Sequence, residues 1–164
     1  MDFKDGEANG EGKLVRNDGL VYEGGFLNDM FSGKGRLVDI NGEYVGGFLD
    51  NKRHGSGRMA YEDGSVYEGE WKDNQREGKG KFTSPTLGNY EGEWKEGKKH
   101  GAGTLEDSEG TYTGEWVDDM RNGQGKQVWK DGSIYEGTWQ ANIREGDGKW
   151  ISRSGLLFLF FFWM

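Results

Sequence analysis

The sixteen residues Tyr67-Glu68-Gly69-Glu70-Trp71-Lys72-Asp73-Asn74-Gln75-Arg76-Glu77-Gly78-Lys79-Gly80-Lys81-Phe82 alternate in character with a period of two, which is the period of a β-strand. Tyr67, Gly69 and Trp71 fall on one face of a first strand, and Glu68 and Glu70 fall on the other. Gly78, Gly80 and Phe82 share a face of a second strand, with Lys79 and Lys81 opposing them. A short polar turn, Lys72 to Glu77, joins the two, so the segment predicts one antiparallel hairpin.

The hairpin recurs along the whole chain. Tyr-x-Gly-x-Phe/Trp begins at Tyr22, Tyr44, Tyr67, Tyr90, Tyr112 and Tyr135, at spacings of 22, 23, 23, 22 and 23 residues. Gly-x-Gly occurs in phase with it seven times, from Gly10/Gly12 to Gly146/Gly148. A turn glycine, such as Gly19, Gly64 or Gly132, closes each unit. These framework positions hold 27 of the 31 glycines among 164 residues, so the glycine excess is positional and the chain is not a flexible linker. The units add side by side into an all-β meander of about 14 strands, an elongated, twisted single sheet roughly 65 Å long at ~4.8 Å per strand.

Glycine in a strand marks the close approach of another group. The group expected here is a neighbouring Tyr or Trp ring lying across the bare backbone, so that rings replace a second layer. The opposite face reads as a charge ladder. Glu23, Glu68, Glu91 and Glu136 form one column, and Lys13, Arg36, Arg58, Lys81, Lys126 and Lys149 form another. Val45 and Thr113 interrupt the Glu column, Gln127 stands where other units place an apolar residue, and Pro85 is the only proline.

Composition removes several classes of function. The 21 Lys and Arg against 29 Asp and Glu give a net charge of −8, which excludes a general nucleic-acid binder. No cysteine is present, so disulfides, thiolate metal sites and Cys nucleophiles are out. The reading from composition is a cytoplasmic protein. Only 32% of residues are apolar, too few for a layered core, yet 23 aromatic residues argue against disorder.

Units such as Tyr67-Glu68-Gly69-Glu70-Trp71 and Tyr90-Glu91-Gly92-Glu93-Trp94, each followed by a basic turn and Gly-x-Gly, closely resemble the MORN repeat (membrane occupation and recognition nexus). The resemblance covers about residues 1–155, taken as six full units plus a partial first unit, with 156–164 as an apolar tail. Gly25, Gly47, Phe26 and Phe48 make the first units looser matches. The resemblance implies a solenoid-like sheet of stacked hairpins and a non-catalytic scaffold. Such a scaffold binds a protein partner in an aromatic-lined groove, self-associates end to end in some members, and sits at membranes, cytoskeleton or cilia. It also implies two alternatives: a phosphoinositide-binding targeting module, or the regulatory region of a larger enzyme such as a phosphatidylinositol-phosphate kinase.

Both ends fall inside a unit. Met1 takes the position of Gly24 and Phe3 that of Phe26, while the Tyr due after Ser154-Gly155 is replaced by Leu156-Leu157-Phe158-Leu159-Phe160-Phe161-Phe162-Trp163-Met164. The expectation is a fragment of a longer repeat protein. The tail is too short to span a membrane, which takes about 20 helical residues. As a strand it fits the Tyr-x-Gly-x-Trp frame poorly. A truncated segment, an apolar end cap and a partner or membrane anchor are its three readings.

No catalytic constellation is found. His54 and His100 occupy the same turn position two units apart, on the order of 19 Å at ~4.8 Å per strand, too far to share a metal ion. Gly-x-Gly never extends to a nucleotide-binding loop. Paired Glu residues repeat in most units, where acid–base catalysis needs one pair in contrasting environments. The expectation is therefore a non-enzyme segment with no cofactor and no metal. Two binding candidates remain. The first is the aromatic face: Tyr22, Tyr44, Tyr67, Tyr90, Tyr112 and Tyr135 with Trp71, Trp94, Trp116 and Trp139, which carries the protein-partner reading. The second is a turn rim of Lys52, Arg53, Arg76, Lys98, Lys99, Arg121 and Arg144, which carries the lipid reading. Adjacent carboxylates such as Asp73, Glu77 and Asp118 weigh against the rim as a free charge.

Overall fold

The computed structural model describes residues 2–4 and 7–161. Met1, the Phe3 side chain and the tail residues Phe162, Trp163 and Met164 lie outside the described residues. The described residues contain strands and turns and no helix. The chain divides into two compact units, residues 1–84 and 85–164. The division falls at the segment that holds Pro85, one of the departures from the repeat.

The first unit contains β1 (Asp2–Lys4), β2 (Glu7–Val15), β3 (Val21–Leu27), β4 (Met30–Asp39), β5 (Gly42–Leu49), β6 (Lys52–Tyr61), β7 (Val66–Lys72) and β8 (Gln75–Ser84). The second contains β9 (Gly88–Lys95), β10 (Lys98–Glu106), β11 (Gly110–Val117), β12 (Met120–Trp129), β13 (Ile134–Gln140), β14 (Ile143–Ile151) and β15 (Leu157–Phe160). Within each unit every strand pairs antiparallel with the strand before it in the chain, so each is an open meander. The all-β fold expected from the period-two pattern is the fold observed.

The hairpin turn is tighter than the six-residue segment suggested. Lys72 pairs with Gln75, which leaves only Asp73 and Asn74 as the loop. Both have positive φ, 48° and 70°, and Asp50-Asn51 and Asp118-Asp119 repeat the geometry. Two left-handed residues in succession make the turn whose twist matches that of the flanking strands, and Asp and Asn tolerate it best after glycine.

The two glycines of each Gly-x-Gly have different jobs. The first is a bulge. Gly123 has φ 59°, and the pairing of β11 with β12 shifts register there. The bulge also corrects the expectation that Gly78, Gly80 and Phe82 share one face. A Cβ on Gly78 would run into the Glu70 carboxylate on the charged side, because the left-handed residue breaks the alternation. The second glycine is a trough. A Cβ on Gly35 would lie 2.5 Å from the Tyr22 hydroxyl, and a Cβ on Gly125 would lie 2.6 Å from the Tyr112 ring. Gly57, Gly80, Gly103 and Gly148 are covered in the same way by Tyr44, Tyr67, Tyr90 and Tyr135.

The charged face pairs as the ladder predicted. Lys13–Glu23 (3.8 Å), Arg58–Glu68 (3.0 Å) and Lys149–Glu136 (3.0 Å) bridge adjacent strands. Where the ladder is interrupted, the neighbours adjust. Arg36 lies opposite Val45 and reaches Glu43 instead, at 2.6 Å. Thr113 lies opposite Thr104, and their hydroxyls meet at 3.1 Å.

Residues 157–160 of the tail form a strand, which brings the strands among the described residues to fifteen against the expected 14 or so. Its β15 pairs with β14, with Phe158 opposite Trp150 and Phe160 opposite Gly148. Phe158 thus takes the Tyr position of a repeat and Phe160 that of the glycine two residues after it, opposite the trough glycine Gly148. The mismatch with the frame leaves Phe158 and Phe160 about half exposed, at 48% and 46%.

Ring-on-glycine packing makes a direct prediction. Gly125→Ala places a methyl inside the Tyr112 ring and is expected to cost about 2–3 kcal/mol in urea denaturation. Gly132→Ala, at a turn with φ 86° and open space around it, is expected to cost only about 1 kcal/mol. Equal losses at the two sites would refute the packing.

Candidate functional site

The aromatic face is built by the same contact in every repeat. Each repeat tyrosine lies over its trough glycine and donates its hydroxyl to the carbonyl three residues on: Tyr22 to Gly25 (2.9 Å), Tyr67 to Glu70 (3.0 Å), Tyr112 to Glu115 (3.1 Å). The ring edges are filled by the next aromatic column. Tyr44 sits between Phe48 and Trp71, with centroids 5.1 and 5.3 Å away and rings near perpendicular. Tyr112 sits in the same way between Trp116 and Trp139. Edge-to-face contacts of this kind suit the aromatic quadrupole. Trp71 also donates its indole N–H back to the Gly57 carbonyl (3.2 Å), and Trp116 does the same to Gly103 (3.2 Å). Phe26 and Phe48 have no N–H to give.

All ten rings singled out from the sequence are therefore internal. The six tyrosines are 0–4% exposed, and Trp71, Trp94, Trp116 and Trp139 are 3–4% exposed. A free tyrosine hydroxyl is a polar tip suited to an interface. In the structure the i+3 carbonyl takes it.

The basic residues are relocated as well. The sequence placed seven of them along a turn rim. Lys52 and Lys98 do stand beside the turns, where they pair with Asp73 (3.2 Å) and Asp118 (4.0 Å). The other five lie on the aromatic face. Each stands opposite the Phe or Trp of the preceding strand: Arg53 opposite Phe48, Arg76 opposite Trp71, Lys99 opposite Trp94, Arg121 opposite Trp116 and Arg144 opposite Trp139. From there they cover rings. Arg53 lies 4.8 Å from the Trp71 ring centroid and Arg121 lies 4.7 Å from that of Trp139. Lys99 lies 4.7 Å from Trp116, Arg76 5.7 Å from Tyr67, and Arg144 5.1 Å from Trp150. Cations over ring faces are attracted by roughly 0.5–1 kcal/mol at exposed sites. In the earlier repeat Phe31 fills this place and stacks on Tyr22 at 3.7 Å.

The second turn residue, which the sequence reading did not single out, is what fixes these side chains. Asn74 accepts from the Arg53 backbone N–H (2.9 Å) and donates its own to the Arg53 carbonyl (3.1 Å). Asn51 clamps Phe31 in the same way, Asp119 clamps Lys99, and Asn142 clamps Arg121. The signal was present as Asn or Asp recurring in phase with the repeat. It was hidden because a turn residue needs no other reason to be Asn or Asp.

Gln127, a departure from the repeat, is buried at 2% and accepts from the Arg121 guanidinium at 2.9 Å. Met59 holds the equivalent place beside Arg53. A cleft of about 230 Å³ opens beside Arg144, lined also by Tyr135, Gly146 and Phe160.

Seven consecutive matches to the MORN-repeat family model cover residues 2–21, 22–43, 44–66, 67–88, 90–111, 112–134 and 135–156. The chain belongs to the MORN-repeat family. A comparison with curated proteins gave no match. Most matched MORN segments begin on the tyrosine that lies over its trough glycine, so the family's unit and the packing unit coincide.

The remaining chemistry of these MORN repeats is quiet. Every displaced carboxyl pKa among the described residues is lowered: Glu43 by Arg36, Glu136 by Lys149, Asp63 by Ser65 and Asp131 by Ser133. Among the described residues no cluster of three or more His, Asp or Glu is placed to hold a metal ion, and no helix is long and apolar enough to cross a membrane. His54 and His100 lie within β6 and β10, just past the turns rather than in them, and their Nδ1 atoms are enclosed.

Burial pushes the tyrosine hydroxyls up, to about 12 for Tyr22, Tyr44 and Tyr112, and upward also for Tyr67, Tyr90 and Tyr135. Each binds its proton more tightly folded than unfolded. Stability is thus complete below the unfolded value of about 10 and falls as pH rises from there through 12. In a Tyr61→Phe background, tyrosinate absorbance and loss of the far-ultraviolet β signal are expected to rise together in an alkaline titration. Tyrosinate appearing near pH 10 with the β signal intact would contradict the burial.

Proposed function

We propose that this MORN array is a non-enzymatic scaffold that receives a protein segment on its aromatic side. One observation carries the reading. In each unit the ring layer is held by its own sheet through glycine troughs and indole and hydroxyl hydrogen bonds, and no second layer of the described residues of that unit lies over it. A rigid face with its outer side open is a docking platform that needs little reordering on binding. Tyr22, Tyr44, Tyr67 and Trp71 form the floor of that platform in the first unit, and Tyr90, Tyr112, Tyr135, Trp94, Trp116 and Trp139 form it in the second. The side chains above it are the ones that meet a partner.

One further observation favours a scaffold over an enzyme: the repeats present the same groups in each unit, which suits an extended contact better than a single reacting centre. The phosphoinositide reading has less support, because Lys52 and Lys98 are held by Asp73 and Asp118.

Site-directed photo-crosslinking tests the side used. A crosslinker at Leu105 or Phe82, on the aromatic side, is expected to trap a protein partner in cells, while one at Thr113 or Val45, on the ladder side, is expected to trap none. Crosslinks confined to the ladder side would overturn the reading.

A further inference from the structure

The surface offered above the ring floor in the second unit is a row of cations. Lys99, Arg121 and Arg144 occupy equivalent places on β10, β12 and β14, each opposite the Trp of the preceding strand. No Asp or Glu stands at a strand position of that face between β9 and β14, because the carboxylates of the repeat alternate to the other side. Neither Arg121 nor Arg144 lies within ion-pair distance of a carboxylate among the described residues. Arg121 is held by Gln127 (2.9 Å) and by the Trp139 ring, and Arg144 by the rings of Tyr135 and Trp150. The cations are thus oriented before any partner arrives. On the opposite face the charge is paired, as in Lys149–Glu136.

We propose that the aromatic side of the second unit binds an acidic peptide segment with carboxylates about 10 Å apart along one side, one to each of Arg121 and Arg144. The proposal rests on the scaffold reading and names the partner's chemistry. Equivalent cations are two strands apart, which is about 9.6 Å. A helix with Asp or Glu at every seventh residue repeats at about 10.5 Å, and a polyproline helix with an acid at every third residue repeats at about 9.3 Å. Either stays in step with the two arginines within side-chain reach. A flat β-strand presents the same side every ~6.8 Å and falls out of step. The net charge of −8 adds selectivity, since it repels an acidic segment from the rest of the surface.

The test is calorimetric titration of the full chain with a three-heptad helical peptide carrying Glu at one position of each heptad. Two further peptides serve as comparisons: one of the same composition with the Glu residues moved out of phase, and one with Gln for each Glu. The in-phase Glu peptide is expected to bind at least about tenfold more tightly than either comparison peptide, and to weaken as salt is raised. The Arg121→Gln/Arg144→Gln variant is expected to lose about tenfold, as two exposed ion pairs would. Lys126→Gln on the other face is expected to change nothing. The near-ultraviolet signal of the tryptophans checks that the variant is folded, and if it is not, the comparison peptides and the salt series on the unaltered chain decide. Equal binding of the Glu and Gln peptides overturns the charge proposal and leaves the scaffold reading standing. Failure of all three peptides also overturns it, and the crosslinking experiment then judges the scaffold reading separately. Charge-dependent binding to phosphatidylserine vesicles without binding to the in-phase peptide overturns it in favour of a membrane surface.

Discussion

A tyrosine ring resting on a bare glycine is the contact on which the rest of this protein depends. A lone sheet has no second layer to exclude water from one face, and in this chain one residue type per repeat does that work. The ring reaches across to the trough glycine of the next strand, and its hydroxyl ends on a carbonyl of its own strand, as with Tyr67 over Gly80 and onto Glu70. Once that geometry is set, little else is free to vary. The trough can hold no side chain. The strand that carries the trough also bulges, and the bulge has its own glycine, as at Gly78 and Gly123. The open ring edges call for an aromatic neighbour from the same repeat and another from the next.

The same constraint turns the aromatic side inside out as a surface. Rings that touch glycine, indole and carbonyl have nothing left to present, and the side chains that finish the covering are cations. Arg53, Lys99 and Arg121 each lie over a tryptophan of the following repeat, with the backbone clamped by Asn74, Asp119 and Asn142. In the second unit the aromatic face therefore carries strand charge of a single sign above an apolar floor, and the other face carries charge of both signs in register. That contrast gives an acidic protein a local basic surface with a direction and a period.

Departures from the repeat are compensated where they occur. Thr113 meets Thr104, Arg36 turns from Val45 to Glu43, and Gln127 holds Arg121. Only the interrupting residues, Thr113, Val45 and Gln127, were visible as oddities in the sequence. The structure shows which neighbour answers each one. The tail behaves differently. Phe160 stands opposite Gly148, at the place where the repeat carries the glycine of Tyr-x-Gly, and about half of it remains exposed.

The chain itself determined the strand period, the hairpin repeat, the family and the identity of the buried rings, because those rest on residue type at fixed spacing, and spacing is a one-dimensional property. It also separated the ladder side from the aromatic side, since alternation does that without further information. What only the tertiary structure decided is which way the remaining polar groups turn. The first glycine of each doublet left the face that alternation assigned to it because a left-handed residue resets the count. The arginines left the rim for the rings because the two-residue turn brings the strand position opposite each Trp closer to the loop than a longer turn would. Whether a tyrosine hydroxyl or an arginine head faces water or the protein depends on which acceptor or ring lies across the strand pair, and that is settled by register in three dimensions.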